Sequence, residues 1–190
     1  MTEKRASIGA RRNPATESAV LDAAVEIVEE QGIGALTMEA VARRARAGKA
    51  TLYRWWPTRG ALLLAVYQRQ KTITSYPDTG TLEGDVKAFL DTLFAHWSRP
   101  EGGIFRHIVA ASQGDDDVRE ALEAYRQDRL DSLSVLFERA VQRDELSDEV
   151  PPRSMAQAMM AMAWLYLLVN RLDADTGGIA RTLVRGWTRP

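Results

Sequence analysis

The 190-residue sequence contains no cysteine and only two histidines, His96 and His107. The absence of cysteine excludes disulfide bonds, thiolate metal sites and cysteine nucleophiles. Two histidines leave little material for a histidine-based catalytic or metal centre, and no arrangement of residues supplies an activated nucleophile with a base. The sequence therefore predicts a protein that is not an enzyme and that uses neither a metal nor a cofactor.

Long hydrophobic runs are also missing. The longest apolar stretch, Met155 to Val169, has 15 residues and contains Gln157, whereas a bilayer-spanning helix needs about 20. The basic N-terminus is not followed by an apolar run of signal-peptide length. We therefore expect no membrane association and a cytoplasmic location.

The net charge of −1 gives no sign of a nucleic-acid partner, but the charges are unevenly distributed. Residues 1–60 contain 10 lysines and arginines against 7 acidic residues, and the rest of the chain is net negative. Between Thr37 and Gly60 only Glu39 is acidic. Such a basic patch attracts phosphates whatever the total charge. Its cations are Arg43, Arg44, Arg46, Lys49, Arg54 and Arg59.

Glycines and prolines divide the chain into segments of helical length, and no segment shows sustained strand alternation. The predicted fold is all-α with about nine helices. Thr16 is the expected N-cap of the first helix, Gly32 its end, and Thr58 the N-cap of the fourth. Three regions follow: a disordered basic arm over 1–14, a first helical region over 15–60 and a second helical region over 61–190. The predicted helices cover 16–32, 37–45, 49–56, 58–74, 82–97, 104–112, 116–143, 153–172 and 179–187.

The two short helices starting at Thr37 and Lys49 are separated by a three- or four-residue turn. This is the layout of a helix-turn-helix, whose second helix enters the DNA major groove. In the second helix, Leu52 and Trp56 share one face and Arg54 lies opposite. The segment is therefore predicted to be half core and half contact surface.

Each outward side chain of that second helix suits a DNA contact. Lys49, in the first turn, can donate to guanine O6 or N7. Ala50 is small enough to let the backbone approach the groove, and Thr51 can touch a thymine methyl group or a phosphate. Tyr53 and Trp55 can donate to phosphate oxygens, although a partly buried aromatic cluster is the alternative for both.

Residues 16–66 resemble the DNA-binding domain of the TetR (tetracycline-repressor) family of transcriptional regulators. The resemblance lies in "AAVEIVEEQGIGALTMEAVARRARAGKATLYRWWPTRGALL". It includes a first helix that ends in glycine, a T-x-x-x-(V/I)-A second helix and a K-x-T-(L/I)-Y-x-x-(F/W)-P-(S/T)-(K/R)-x-A-L third segment. The resemblance implies DNA contacts from Thr37, Lys49, Thr51, Tyr53, Trp55 and Arg59.

The sequence departs from the family pattern at three positions. Arg46 stands where a turn glycine is usual, Gly48 where a serine caps the recognition helix, and Gly60 where an acidic residue is common. Either Arg46 strains the turn or Gly48 takes over the unusual backbone angle, and Arg46 could add a phosphate contact. Arg59 is expected to contribute a positive charge to a phosphate site at the next helix N-terminus.

The resemblance implies that residues 15–60 form a helix-turn-helix DNA-binding domain and residues 61–190 a ligand-binding and dimerisation domain. The last two helices of the second domain would form a four-helix bundle with a second subunit. The segment from Met155 to Val169 is apolar on more than one helical face, so a second face must be buried somewhere, and a partner subunit is the natural place. The predicted dimer interface comprises Met155, Met162, Leu165 and Val169.

A small-molecule pocket is expected among inward residues of the middle helices, and its few polar groups would suit an apolar or aromatic effector. Aromatic and methionine side chains at helical spacing are also typical of plain core, which stays the alternative. The candidates are Phe89, Leu93, Trp97, Phe105, Ile108, Tyr125 and Met159.

The favoured hypothesis is a homodimeric transcriptional regulator, in most cases of this kind a repressor, that binds double-stranded operator DNA and responds to a small-molecule effector. The effector would shift the population towards a conformer with lower operator affinity. The alternative is an all-α protein–protein interaction module whose basic helix pair docks an acidic partner. A third possibility, an enzyme around Asp115–Asp117 and His107, is opposed by the position of the aspartates at a helix start, where capping explains them.

Overall fold

The computed structural model describes residues 13–70, 76–146 and 149–186. Within these ranges the chain forms nine α-helices and one short 3-10 turn, Ile33–Ala35, and no strand. The predicted all-α class is confirmed. The helices are α1 (Pro14–Gln31), α2 (Met38–Arg44), α3 (Lys49–Trp55), α4 (Arg59–Gln70), α5 (Leu82–Trp97), α6 (Pro100–Ala111), α7 (Asp116–Gln142), α8 (Pro152–Leu168) and α9 (Thr176–Arg185).

Helix α1 begins earlier than expected. The Asn13 side chain accepts a hydrogen bond from the Ala15 amide at 3.0 Å, and Pro14 occupies the first helical position, where a missing N–H costs nothing. Asn13, not Thr16, is therefore the N-cap. Gly32 ends the helix with a φ of 81°, as expected for a residue in the left-handed region. Most of the predicted basic arm, residues 1–12, lies outside the described residues.

The turn between α2 and α3 resolves the question raised by Arg46 and Gly48. Arg46 has a φ of 51°, whereas Gly48 has an ordinary φ of −69°. The Ala47 amide donates to the Ala42 carbonyl at 3.0 Å, the long-range bond of a Schellman ending. Arg46 thus carries the left-handed conformation itself, at a cost of roughly 1–2 kcal/mol relative to glycine.

Helix α4 connects the first three helices to the rest of the molecule, since it packs against α1, α6 and α7. Thr58 caps it as predicted, with its hydroxyl accepting from the Ala61 amide at 3.1 Å. A Cβ at Gly60 would lie 2.5 Å from the Asp117 carbonyl oxygen and 2.8 Å from the Val118 Cα. Gly60 therefore replaces the acidic residue of the family pattern because α4 passes directly against the backbone of α7.

The 27-residue helix α7 is the central element of the C-terminal part and contacts α4, α5, α6 and α8, while α9 packs on α5. Aromatic rings fill the space beside it. Tyr67 stacks on Phe105 with 4.6 Å between ring centroids. The Trp97 indole donates to the Tyr67 hydroxyl at 3.0 Å, so the polar groups of these two residues are paired with each other inside the aromatic core.

Several C-terminal helices differ from the predicted ranges at their ends. Helix α6 begins at Pro100 instead of residue 104, and α9 begins at Thr176 instead of residue 179. Helix α8 ends at Leu168 instead of residue 172, because Asn170 takes a φ of 56° and the Arg171 amide turns back to the Tyr166 carbonyl at 2.9 Å. A left-handed asparagine at a helix end is common, but sequence periodicity alone does not reveal it.

Over the described ranges, no helix is both long and apolar enough to cross a membrane. In the same part of the chain, no cluster of three or more His, Asp or Glu side chains could hold a metal ion. Asp115 is the N-cap of α7, where its carboxylate accepts from the Val118 amide at 3.2 Å. The capping interpretation of Asp115–Asp117 is confirmed.

Candidate nucleic-acid interface and effector cavity

Helix α3 separates a buried side from an exposed side as predicted. Leu52 is fully buried and Trp56 is 3% exposed, both within the core formed with α1 and α2. On the other side, Tyr53 is 45% exposed, an unusual figure for a large aromatic residue, and Ala50 and Arg54 are also exposed. The outward side of α3 is thus a free surface that combines an aromatic ring, a cation and a small residue.

Glu39 of α2 organises one edge of this surface. Its Oε1 atom lies 3.5 Å from the Lys49 ammonium nitrogen and accepts from the Tyr53 hydroxyl at 3.4 Å. A hydrogen bond from its own backbone amide, together with the charge of Lys49, holds the pKa of Glu39 below its ordinary value. Glu39, in the first turn of α2, therefore holds two predicted DNA-contacting side chains of α3, Lys49 and Tyr53, beside each other.

The remaining α2–α3 candidates differ in exposure. Thr37 is exposed and caps α2, since its hydroxyl oxygen accepts from the Ala40 amide at 3.1 Å. Its hydroxyl hydrogen remains able to donate to a phosphate. Thr51 is half-buried, and the half-buried Trp55 packs edge-on against Trp56 at 5.7 Å.

Two arginines of this region carry their charge into solvent. Arg46 and Arg54 are exposed, and neither forms an ion pair with another residue that the structure describes. Arg44 behaves differently, because its guanidinium lies 2.7 Å from Glu30 and 3.6 Å from Glu26. The exposed surface formed by Lys49, Tyr53 and Arg54 on α3 with Arg46 on the preceding turn is called the head surface below.

Arg59 does not belong to the head surface. Its guanidinium donates to the Leu36 carbonyl at 3.0 Å, the Ile33 carbonyl at 2.9 Å and the Asp115 carboxylate at 2.7 Å. All three nitrogens thus have acceptors within the chain. The expected phosphate contact at Arg59 is corrected to an internal one, in which the side chain joins the 3-10 turn to the N-terminus of α7.

The structure places five of the seven predicted pocket residues around one small cavity of about 30 Å³: Phe89, Leu93, Trp97, Phe105 and Tyr125. Ile108 and Met159 are fully buried but do not line it, so they belong to the plain core. Met160 lines it instead of Met159, because the helical turn directs residue 160 towards α7. The further lining residues are Tyr67, Tyr76, Arg129 and Leu133.

Sequence reasoning missed Arg129, the only charged residue described on that cavity wall. The signal was available, because Arg129 lies four residues after Tyr125 and four before Leu133 and so shares their helical face. A second, larger cavity of about 200 Å³ lies against the first and shares three lining residues with it, Tyr125, Arg129 and Met160. Its other walls are Arg126, Leu130, Gln157, Ala161 and Trp164.

Helix α8 presents a second apolar face near its C-terminal end. Leu165 and Val169 are each 54% exposed, with Leu168 beside them, and Met162 is half-buried one turn earlier. Met155 is only 1% exposed and lies within the chain's own core. Met155 is therefore removed from the predicted dimer interface, while the other three residues remain on an outer face.

Two family models match the sequence. Residues 20–66 match the model described as bacterial regulatory proteins, tetR family. Residues 76–185, more than half of the chain, match the tetracyclin repressor-like C-terminal domain. The first match covers the helix-turn-helix and the second covers the helices around the cavities.

Curated and solved relatives agree with these matches. An uncharacterized HTH-type transcriptional regulator, YdeS of Bacillus subtilis, is 28% identical over 75% of this chain and 73% of its own. The HTH-type transcriptional repressor SCO4008 of Streptomyces coelicolor is 24% identical over 96% of this chain and 98% of its own. The crystal structure of the TetR family transcription regulator SCO0332 superposes with a TM-score of 0.69 at 27% identity, covering 92% of this chain and 99% of that one. The chain belongs to the TetR family of DNA-binding transcriptional regulators.

Proposed function

We propose that this regulator represses transcription as a homodimer that binds a double-stranded operator through the head surface and leaves it when an effector fills the cavities beside α7. The observation that carries the proposal is the division of α3, with Leu52 and Trp56 in the core and Tyr53 and Arg54 in solvent. A helix built only for packing would not expose an aromatic ring beside unpaired cations. Repression is supported by the name of the repressor SCO4008, which is similar along nearly its whole length.

The head surface supplies contacts of two kinds. Lys49, in the first turn of α3, is placed for base edges, with Ala50 and Thr51 allowing the helix to approach the groove. Tyr53, Arg54, Trp55 and Arg46 surround it with donors suited to phosphate oxygens. Thr37 adds a hydroxyl at the start of α2.

A homodimer is proposed because two recognition helices must reach successive major grooves about 34 Å apart. Met162, Leu165 and Val169 support an isologous contact, since an apolar stripe on one helix can pack against its own copy around a two-fold axis. Replacing Leu165 with aspartate is expected to shift sedimentation from dimer to monomer. Val150→Asp is the matched control, because Val150 is also an exposed apolar residue but lies outside α8.

The function as a regulator leaves the chain without a proposed catalytic role, and we place it in the cytoplasm with the chromosomal DNA. An interaction module that docks an acidic protein is not favoured, because the family assignment explains the same basic surface through DNA. The two partners can be distinguished by experiment, because operator binding depends on the base sequence of the duplex.

The first experiment is fluorescence anisotropy with the duplex upstream of the protein's own gene and a scrambled duplex, each at several salt concentrations. Tight binding to the native duplex alone, weakened at least tenfold by Lys49→Ala, supports the proposal. Arg185→Ala is the control, since Arg185 is an exposed arginine of α9. Failure of every duplex to bind at low salt would contradict it and favour the protein-docking alternative.

A further inference from the structure

Arg129 occupies the boundary between the two cavities. It lies in the middle of α7 and lines both spaces, together with Tyr125 of the same helix and Met160 of α8. A ligand that extended through both cavities would therefore pass this guanidinium. The position places the Arg129 charge where the two cavities meet, while Arg126 and Gln157 are further polar residues on the wall of the larger cavity.

The Arg129 guanidinium has no anionic partner in the described part of the chain. Its contacts are the Tyr76 hydroxyl, to which it donates, and the Tyr76 ring, whose centroid is 5.7 Å from Cζ. Burial lowers the pKa of Arg129. Its neighbour Arg126, by contrast, makes two hydrogen bonds of 2.7 Å to the Glu123 carboxylate.

A partly buried cation with no counter-ion costs free energy unless a ligand completes it. Tyr76 supplies a hydroxyl and a ring face, both of which are weaker partners than a carboxylate. The cavity wall therefore carries a charge that no acidic residue in the described ranges neutralises.

Trp164 provides a second donor in the same place. Its Nε1 atom is buried and has no acceptor among the described residues, and its side chain lines the larger cavity together with Arg129. Buried indole N–H groups usually find an acceptor. An acceptor entering this cavity would satisfy both Trp164 and Arg129.

The smaller cavity is walled by aromatic rings that pack on one another, and its volume of about 30 Å³ leaves room for water but not for an aromatic ring. Trp97 and Phe105 are nearly parallel, 8° apart with centroids at 5.6 Å, and Tyr76 stacks on Phe89 at 6.0 Å. Aromatic side chains favour stacked or edge-on contacts with another ring. The larger cavity, of about 200 Å³, has room for an aromatic ring and offers Tyr125 and Trp164 as aromatic partners.

We propose that the effector is an aromatic carboxylate bound in the larger cavity, with its carboxylate on Arg129 and the Trp164 indole and its ring against Tyr125, Leu130 and Met160. This inference rests on the proposed function of the cavities as the effector site. One cation and one neutral donor match a single negative charge, whereas a phosphate dianion would call for further cations. The proposal keeps the aromatic effector that the sequence suggested and adds a carboxylate to it.

The test uses the full-length protein and matched pairs of acids and their amides: benzoate with benzamide, phenylacetate with phenylacetamide, and indole-3-acetate with indole-3-acetamide. Isothermal titration calorimetry measures each affinity without DNA. At least one acid is expected to bind about tenfold or more tightly than its amide, because a charge-assisted contact is lost in the amide. Equal affinities in every pair, or no binding by any acid, would overturn the proposal.

Variants test whether the preference for the acid over its amide comes from Arg129. Arg129→Gln should remove the preference for the acid and leave amide affinity within about twofold, while Arg129→Lys should retain part of the preference. Arg119→Gln is the control, since Arg119 is exposed on the same helix and pairs with Asp116. An acid preference that survives Arg129→Gln in a folded protein would overturn the assignment.

Operator release is measured separately by anisotropy. Acids that bind selectively but leave the operator complex intact would support the carboxylate site and contradict the proposed function. Amides that release the operator as strongly as their acids would support the proposed function and overturn the carboxylate site.

Discussion

Unpaired arginines stand at both surfaces to which a role is assigned, but they stand in different surroundings. Arg46 and Arg54 of the head surface are exposed, so water solvates their charge and the fold loses little by leaving them unpaired. Arg129 is partly withdrawn into a wall of aromatic rings, where the same charge is poorly solvated. The head surface is suited to a large, hydrated polyanion. The cavity is suited to a small, largely desolvated ligand with a single negative charge.

The difference teaches how the two sites can be told apart by experiment. An exposed cation contributes to binding mainly through long-range attraction and the release of counter-ions, which salt suppresses. A partly buried cation contributes to binding through one short contact that solvent ions do not reach, so salt weakens it less. Mutations, added salt and changes in packing are therefore expected to change the binding affinities of the two sites to different extents.

The largest expected effect is that of salt on the two affinities. Operator affinity should fall by about three orders of magnitude between roughly 50 and 200 mM salt, as for a protein making about six phosphate contacts. Affinity for the aromatic acid should fall by less than about tenfold, because its contact is shielded from solvent ions. Parallel titrations by anisotropy and calorimetry check this, and equal slopes would remove the distinction between the sites.

Charge reversal on α3 should come next in size. Arg54→Glu is expected to lower operator affinity by about 100-fold, since it removes one cation per subunit and adds a repulsive charge at the DNA surface. Affinity for the acid should not change. Anisotropy and calorimetry measure the two quantities, and Arg185→Glu on α9 serves as the matched control. A comparable loss of operator affinity in the control would show a general charge effect and not a head-surface one.

Packing between α4 and α7 tests the junction of the two regions. Gly60→Ala should lower the free energy of unfolding by about 1–3 kcal/mol, because its Cβ would meet backbone atoms of α7 that cannot rotate away. Gly103→Ala of α6 is the control, since a Cβ there meets nothing within 4 Å and alanine favours the helix. Thermal denaturation should show a lower Tm for the first variant and an unchanged or higher Tm for the second.

The smallest effect concerns Glu39. Glu39→Gln should raise affinity for the scrambled duplex by about threefold, because it releases Lys49 and Tyr53 from an acidic neighbour on the DNA-facing side. The ratio of native to scrambled affinity should fall. Glu83→Gln on α5 is the control, since Glu83 is exposed but lies outside the first three helices. Unchanged affinity for the scrambled duplex would mean that Glu39 only positions the two side chains.

The head, meaning helices α1 to α3 with the 3-10 turn between α1 and α2, was predictable from sequence to a larger extent than the cavity. In α3 the alternation of Leu52 and Trp56 with Arg54 is enforced by local helix geometry, so spacing alone determines which side is buried. The role of Arg59 was not predicted correctly, because its hydrogen-bond partners lie far from it in the sequence, at Ile33, Leu36 and Asp115. Sequence spacing does not encode contacts of that range.

The cavity depends on how several helices meet, and periodicity does not fix the rotation of one helix against another. Phe89, Leu93 and Phe105 were identified as inward residues, but whether an inward residue lines space or packs solidly is decided by its neighbours. Met159 and Met160 illustrate the limit, since one residue separates core from cavity wall. Met155 illustrates it on α8, where the inner and outer faces are both apolar.

Arg59 has a consequence for cooperativity. Its guanidinium donates to the Ile33 and Leu36 carbonyls at the 3-10 turn of the head and also to the Asp115 carboxylate at the start of α7. If these two parts separated, at least one of these acceptors would lose its donor. The head and the C-terminal helices are thereby expected to melt in one calorimetric transition. Arg59→Ala would divide that transition in two, with the small head, which has the smaller core, unfolding first.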